Sequence, residues 1–136
     1  MVRINKNLLE DKVVKSLYKQ LDKVLGELPP DKISVFLNGL IGPEERLMLA
    51  KRLAVIVMLK EGYSSYRIAE TLKLSQSTIK NIQARRSGGA YVEVTKTLKN
   101  HLEAYRAILD IVDSLLHVGN IMPHRVGLDR YKGIRH

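Results

Sequence analysis

The sequence predicts an all-α protein of six helices, and three observations carry that reading. Apolar residues recur every three or four positions along most of the chain, the period of helices with one buried face. Proline and glycine cut the pattern into helix-length pieces at Pro29-Pro30, Gly42-Pro43, Gly62 and Gly88-Gly89. From Ser65 to Arg86, small and apolar residues fall where two short helices must cross at a tight turn, as in a helix-turn-helix.

The first helix is expected from Asn7 to about Leu28, with Leu9, Val13, Leu17, Leu21, Val24 and Leu28 on one face and Pro29-Pro30 as its stop. A short second helix, Asp31 to Leu40, carries Ile33, Phe36, Leu37 and Leu40 on its apolar side and ends at Gly42. Pro43 suits the first turn of a third helix, where Glu44 and Glu45 sit near the positive end of its dipole. That helix runs to about Glu61, with Gly62 as its C-terminal cap. It is apolar on every side from Leu53 to Leu59, so it belongs at the centre of the core.

In the helix-turn-helix, Ile68, Ala69 and Leu72 mark the inner face of the fourth helix, and Leu74 plugs the turn. Ile79 and Ile82 mark the inner face of the fifth. A small residue is required at Ala69, where one helix passes over the other. Lys73 holds a turn position that suits glycine and is expected in a left-handed conformation at a cost of about 1 kcal/mol. After Gly88-Gly89 a sixth helix is expected from Glu93 to Val118. Its seam of Leu98, Leu102, Tyr105, Leu109, Val112 and Leu116 is widened by Ile108, Ile111 and Leu115. The seam, the first helix and the third together present more apolar surface than six modest helices cover, which favours a shared dimer core over an intramolecular bundle. The domain is expected to span residues 1–118, followed by a basic, flexible tail over residues 119–136.

The outward face of the fifth helix is suited to duplex DNA. Ser75 is a natural N-cap for the amides of Ser77 or Thr78. Gln76, Ser77, Thr78, Lys80 and Asn81 then project outward as candidates for base readout, Gln and Asn towards adenine and Lys towards guanine. Ser64, Ser65, Tyr66, Arg67, Lys73, Ser75, Arg85 and Arg86 are candidates for phosphate contacts. No acidic residue intervenes between Glu70 and Glu93 to weaken the local positive field. The bland alternative is a structural helical hairpin with a polar surface.

Composition points the same way. The 136 residues, 45% hydrophobic, are enough for one domain with a core. Twenty-three basic residues against 14 acidic ones give a net charge of +9, which favours polyanionic partners, nucleic acid before membrane surfaces. Aromatic residues make up only 5% and are dispersed, which disfavours a stacking platform for single strands and leaves duplex DNA. The absence of cysteine excludes disulfides and thiol chemistry and fits a reducing cytoplasm. Charges interrupt the N-terminal apolar residues, so no secretory signal is expected. The longest apolar run, Leu53 to Leu59, is far below the roughly 20 residues of a membrane span.

The order of elements resembles the Trp repressor family and its shorter relatives. The likeness rests on two amphipathic helices, then GPEERLMLAKR opening a buried helix, EGYSSYRIAETLKLSQSTIKNI, and a closing helix. It covers about Asn7 to Leu116, with Pro43-Glu44-Glu45-Arg46, Arg52 and the helix-turn-helix behind them as its most specific parts. The resemblance implies an intertwined homodimer whose two recognition helices enter successive major grooves of a palindromic operator. It also implies an effector site, since in the namesake members tryptophan lies between two arginines. Arg52 matches the first of these, but Asn81 stands at the second, so the carboxylate-binding wall is incomplete. This argues against tryptophan as co-repressor, and no cofactor is predicted. Arg52 is equally suited to a structural role, paired with Glu44, Glu45 or an acid of a second copy.

Catalytic chemistry finds little support. His101, His117, His124 and His136 lack the spacing of a helical zinc site. Asp110 and Asp113 lie one turn apart but have no third carboxylate, and Gly88-Gly89 lacks the context of a phosphate loop. The sequence therefore predicts a dimeric, sequence-specific DNA-binding transcriptional regulator, most plausibly a cytoplasmic repressor and not an enzyme. The alternatives are the DNA-recognition component of a transposition system and a helical scaffold for another protein.

Overall fold

A computed structural model describes residues 9–118, so the basic segment over residues 119–136 and its two histidines lie outside the described residues. The chain divides into two compact units between Arg46 and Leu47. In the first, α1 (Asp11–Glu27) is followed by a 3-10 turn (Pro30–Lys32) and α2 (Ile33–Ile41). Helix α3 (Pro43–Lys60) begins there, and its greater part belongs to the second unit. The second unit continues with α4 (Ser65–Leu72), α5 (Gln76–Ser87), α6 (Val92–Lys99) and α7 (Leu102–Val118). No strand occurs among the described residues, and none of the described helices is long and apolar enough to cross a membrane.

Proline and glycine act in the first unit as the sequence predicts. Leu28 precedes Pro29, whose ring clashes with a helical neighbour, and is extended at φ −69° and ψ 130°. Gly42 reverses the chain at φ 85°, its amide donating to the Asn38 carbonyl. Arg46 donates from Nη1 to Oδ1 of Asn38 at 3.3 Å, fastening the start of α3 to α2. Helix α1 starts at Asp11, later than the expected Asn7, because Leu9 and Glu10 are not helical. It buries no residue: Leu17 remains 57% exposed, and Leu9, Val13, Leu21 and Val24 are exposed beside it.

The second unit holds the core. Val55 to Leu59 are five consecutive buried residues of α3, which therefore contacts protein on all sides at that level. Leu53 and Ala54, expected with them, are half-buried. The larger cluster joins α3 to Ile68, Ala69 and Leu72 of α4, Ile79 and Ile82 of α5, and Val112 and Leu116 of α7. A smaller one joins Val57 to Leu98, Tyr105 and Leu109. Gly62, at φ 91°, caps α3 as expected, and the Tyr63 amide beyond it donates to the Met58 carbonyl at 3.0 Å.

One expected element is divided. The single helix expected from Glu93 to Val118 is two, α6 and α7, so the described residues form seven α-helices where six are expected. The break falls at Asn100 and His101. The Asn100 amide is shared between the carbonyls of Lys96 and Thr97, and His101 Nδ1 lies 2.8 Å from the Thr97 carbonyl oxygen. The His101 amide likewise bonds three positions back, to the Leu98 carbonyl at 3.1 Å, the tightened turn of a helix end. Of the expected seam, Leu98, Tyr105, Leu109, Val112 and Leu116 are buried within the unit, while Leu102 on the far side of the break is 47% exposed.

Candidate nucleic-acid interface

Helices α4 and α5 form the helix-turn-helix, and each begins at a serine cap. Ser64 Oγ accepts from the Arg67 amide at 3.2 Å, and Ser75 Oγ accepts from the Thr78 amide at 3.1 Å. Each bond satisfies one of the free amides of a helix start. Between the helices, Lys73 adopts the left-handed conformation, φ 57° and ψ 51°. It is the one non-glycine residue with positive φ among the described residues. The amides of Lys73 and Leu74 both reach the Ala69 carbonyl, so the turn closes over the small residue the crossing needs.

The corner fixes which face of α5 is presented. Ile79 and Ile82 are 0% and 4% exposed and anchor the helix to the core. Gln76, Ser77, Lys80 and Asn81 are exposed on the side away from these anchors. Thr78 is half-buried, and its Oγ1 lies 2.8 Å from Ser75 Oγ, with Ser77 Oγ 3.2 Å from the same atom. The three hydroxyls thus form a small cluster at the start of the helix. A hydroxyl is one donor and two acceptor sites, so each keeps capacity for a further partner.

The residues read as phosphate contacts are less uniform than the sequence suggests. Ser64, Lys73, Ser75, Arg85 and Arg86 are exposed, whereas Ser65 and Arg67 are half-buried. Nη1 of Arg67 is shut off from solvent without a hydrogen-bond partner among the described residues. Tyr66 is exposed, and the Glu70 carboxylate one turn along α4 raises its phenol above the ordinary pKa. Arg85 lies over the Tyr91 ring, 5.9 Å from its centroid.

Arg52 on α3 and Asn81 on α5 are both exposed. An apolar cavity of about 290 Å³ is lined by Lys51, Leu53, Leu72, Ile108 and Val112 among others, but neither Arg52 nor Asn81 lines it. Among the described residues no group of three histidine or carboxylate side chains is placed to hold a metal ion.

A contact absent from the sequence reading supports the start of the motif. Tyr105 of α7 donates its hydroxyl to Glu61 Oε2 at 2.5 Å, across 44 positions, tying the end of α3 to α7. Burial first, then this carboxylate, raises the Tyr105 pKa strongly. Lys60 Nζ lies 5.2 Å from the centroid of the same ring. Only the burial of Tyr105 within the predicted seam hinted at such a contact.

No curated protein and no solved structure matches the chain. The family model described as Trp repressor protein matches residues 15–113, which include all of α3, the helix-turn-helix and α6 and most of α1 and α7. By that match the chain belongs to the Trp repressor family, a family of helix-turn-helix DNA-binding regulators.

Proposed function

We propose that this protein is a sequence-specific transcriptional repressor that binds a palindromic operator as a homodimer. The observation that carries the reading is the presentation of α5. Its inner face is anchored by Ile79 and Ile82, its start is capped by Ser75, and Gln76, Ser77, Lys80 and Asn81 stand exposed in a stretch without acids from Thr71 to Val92. Gln76 and Asn81 suit adenine, Lys80 suits guanine, and Ser77 and Thr78 suit several base edges. Ser64, Ser65, Tyr66, Arg67, Lys73, Ser75, Arg85 and Arg86 would hold the backbone and set the register. Dimerisation draws support from the apolar stripe of α1, none of whose residues is buried within its own unit. Asn81 at the second effector position leaves tryptophan without its second arginine, so this reading gives the repressor no tryptophan dependence.

Two variants test the two halves of the proposal. Asn81→Ala should reduce affinity for a preferred duplex by about 1–3 kcal/mol while leaving binding to random duplex unchanged. Equal loss on both duplexes would contradict base readout. Leu17→Glu combined with Leu21→Glu should convert a particle of twice 15.4 kDa into one of 15.4 kDa in light scattering. A wild-type protein of monomeric mass would contradict the dimer.

A further inference from the structure

The end of the recognition helix opens onto a second basic surface that the helix-turn-helix does not include. Helix α5 closes with Arg85 and Arg86 in its last turn. The chain then turns at Gly89, φ 87°, where the Gly89 amide donates to the Arg86 carbonyl and the Ala90 amide to that of Arg85. This turn returns the chain into α6 and leaves a cleft of about 370 Å³. Arg86 lines it from α5, Thr95, Lys96 and Lys99 line it from α6, and Tyr91, buried at 8% exposure, lines it with Val92.

The charge in the cleft is largely uncompensated. Lys96 has Glu93 at 3.6 Å, but both side chains are more than 60% exposed, and such a pair contributes little. Arg86 and Lys99 enter no ion pair among the described residues. Lys60, the last residue of α3, adds to the same field. Its pKa is lowered by desolvation and then by the nearby charges of Lys99 and Arg86, against the opposing carboxylate of Glu61. Glu61 itself is engaged by Tyr105.

A 12-residue helix is about 18 Å long, and the major groove is about 12 Å wide. When α5 crosses the groove with its Ser75 end among the bases, its Arg86 end reaches past one wall of the groove. We infer that the cleft of Arg86, Lys96 and Lys99, with Lys60 beside it, holds backbone phosphates flanking the recognised bases, as a second contact that lengthens the protein's footprint on duplex DNA. This rests on the proposed DNA-binding role and extends it to residues of α3 and α6. The cleft adds affinity and salt sensitivity but no base preference, because phosphates are alike at every sequence.

The test uses the full chain carrying Lys96→Gln and Lys99→Gln, both exposed positions, with unchanged thermal unfolding as the control for folding. Affinity is measured against salt on a long duplex and on one trimmed to the last base pair that the wild type selects. On the long duplex the slope of log K against log salt should become shallower by about 0.9 for each lost contact, close to 2 for each bound subunit, with the selected bases unchanged. On the trimmed duplex wild type and variant should be alike. An unchanged slope on the long duplex, or an equal loss on the trimmed one, overturns the cleft while leaving base readout intact. A slope change in a protein that selects no sequence supports the cleft and overturns specific regulation. A wild type that binds no duplex overturns both.

Discussion

At the scale of single residues, a few side chains fix the corner on which the function depends. Lys73 takes a left-handed backbone that costs a non-glycine residue about 1–2 kcal/mol, offset in a glycine by roughly 0.5–1 kcal/mol of added chain entropy. Lys73→Gly should therefore be neutral to stabilising by about 1 kcal/mol in urea unfolding, and Lys73→Val should destabilise; a large loss in the glycine variant would contradict the turn geometry. Tyr105 provides a second residue-scale test. Its pKa is raised in the folded protein, so the native state keeps the phenolic proton at a pH where the unfolded chain releases it. The associated stability is present below the ordinary tyrosine value of 10.0 and is lost as the pH rises above it. Unfolding of wild type and Tyr105→Phe, compared from pH 8 upwards, should show the wild-type advantage shrinking above about pH 10. A constant difference would mean that burial and the Glu61 carboxylate do not hold the phenol protonated in the folded protein.

At the scale of elements, legibility followed the range of the interaction that fixes each boundary. Pro29, Gly42, Gly62 and Ser75 act on their own backbone or on an amide a few positions away, and each could be read from its neighbours. The break between α6 and α7 could not. Leu98, Leu102 and Tyr105 keep helical spacing straight through it, with no proline or glycine to mark it, and it falls at Asn100 and His101, whose amides bond three positions back. The exposure of the candidate site was legible for Gln76, Lys80 and Asn81 because Ile79 and Ile82 fix the opposite face. It was not legible for Arg67, whose surroundings depend on tertiary burial. The basic cleft was missed because Arg86 comes beside Lys96 and Lys99 only through the turn at Gly89, and Lys60 adds to their field from the end of α3. A cap is an element-scale device, and Ser75→Ala should cost about 1 kcal/mol of stability in urea unfolding. Ser114→Ala, at an exposed position of α7, should change little. Equal effects would mean that Ser75 does not cap α5.

At the scale of the whole molecule, an anchored recognition helix, an excess of positive charge and an unburied apolar stripe on α1 are compatible parts of one device. In the proposed function the charge would bring the protein to DNA, α5 would distinguish one sequence from another, and pairing of two chains would double the bases read. Charge alone makes a non-specific binder that moderate salt releases, so sequence preference at near-physiological salt separates a regulator from a basic helical scaffold. The most direct measurement is therefore selection of duplexes from a random library by the purified protein at that salt, with its mass in solution determined in parallel. The account predicts a dimer that enriches a palindrome whose half-sites are centred about one helical turn apart. A folded protein that enriches no sequence and leaves DNA as salt rises would contradict it.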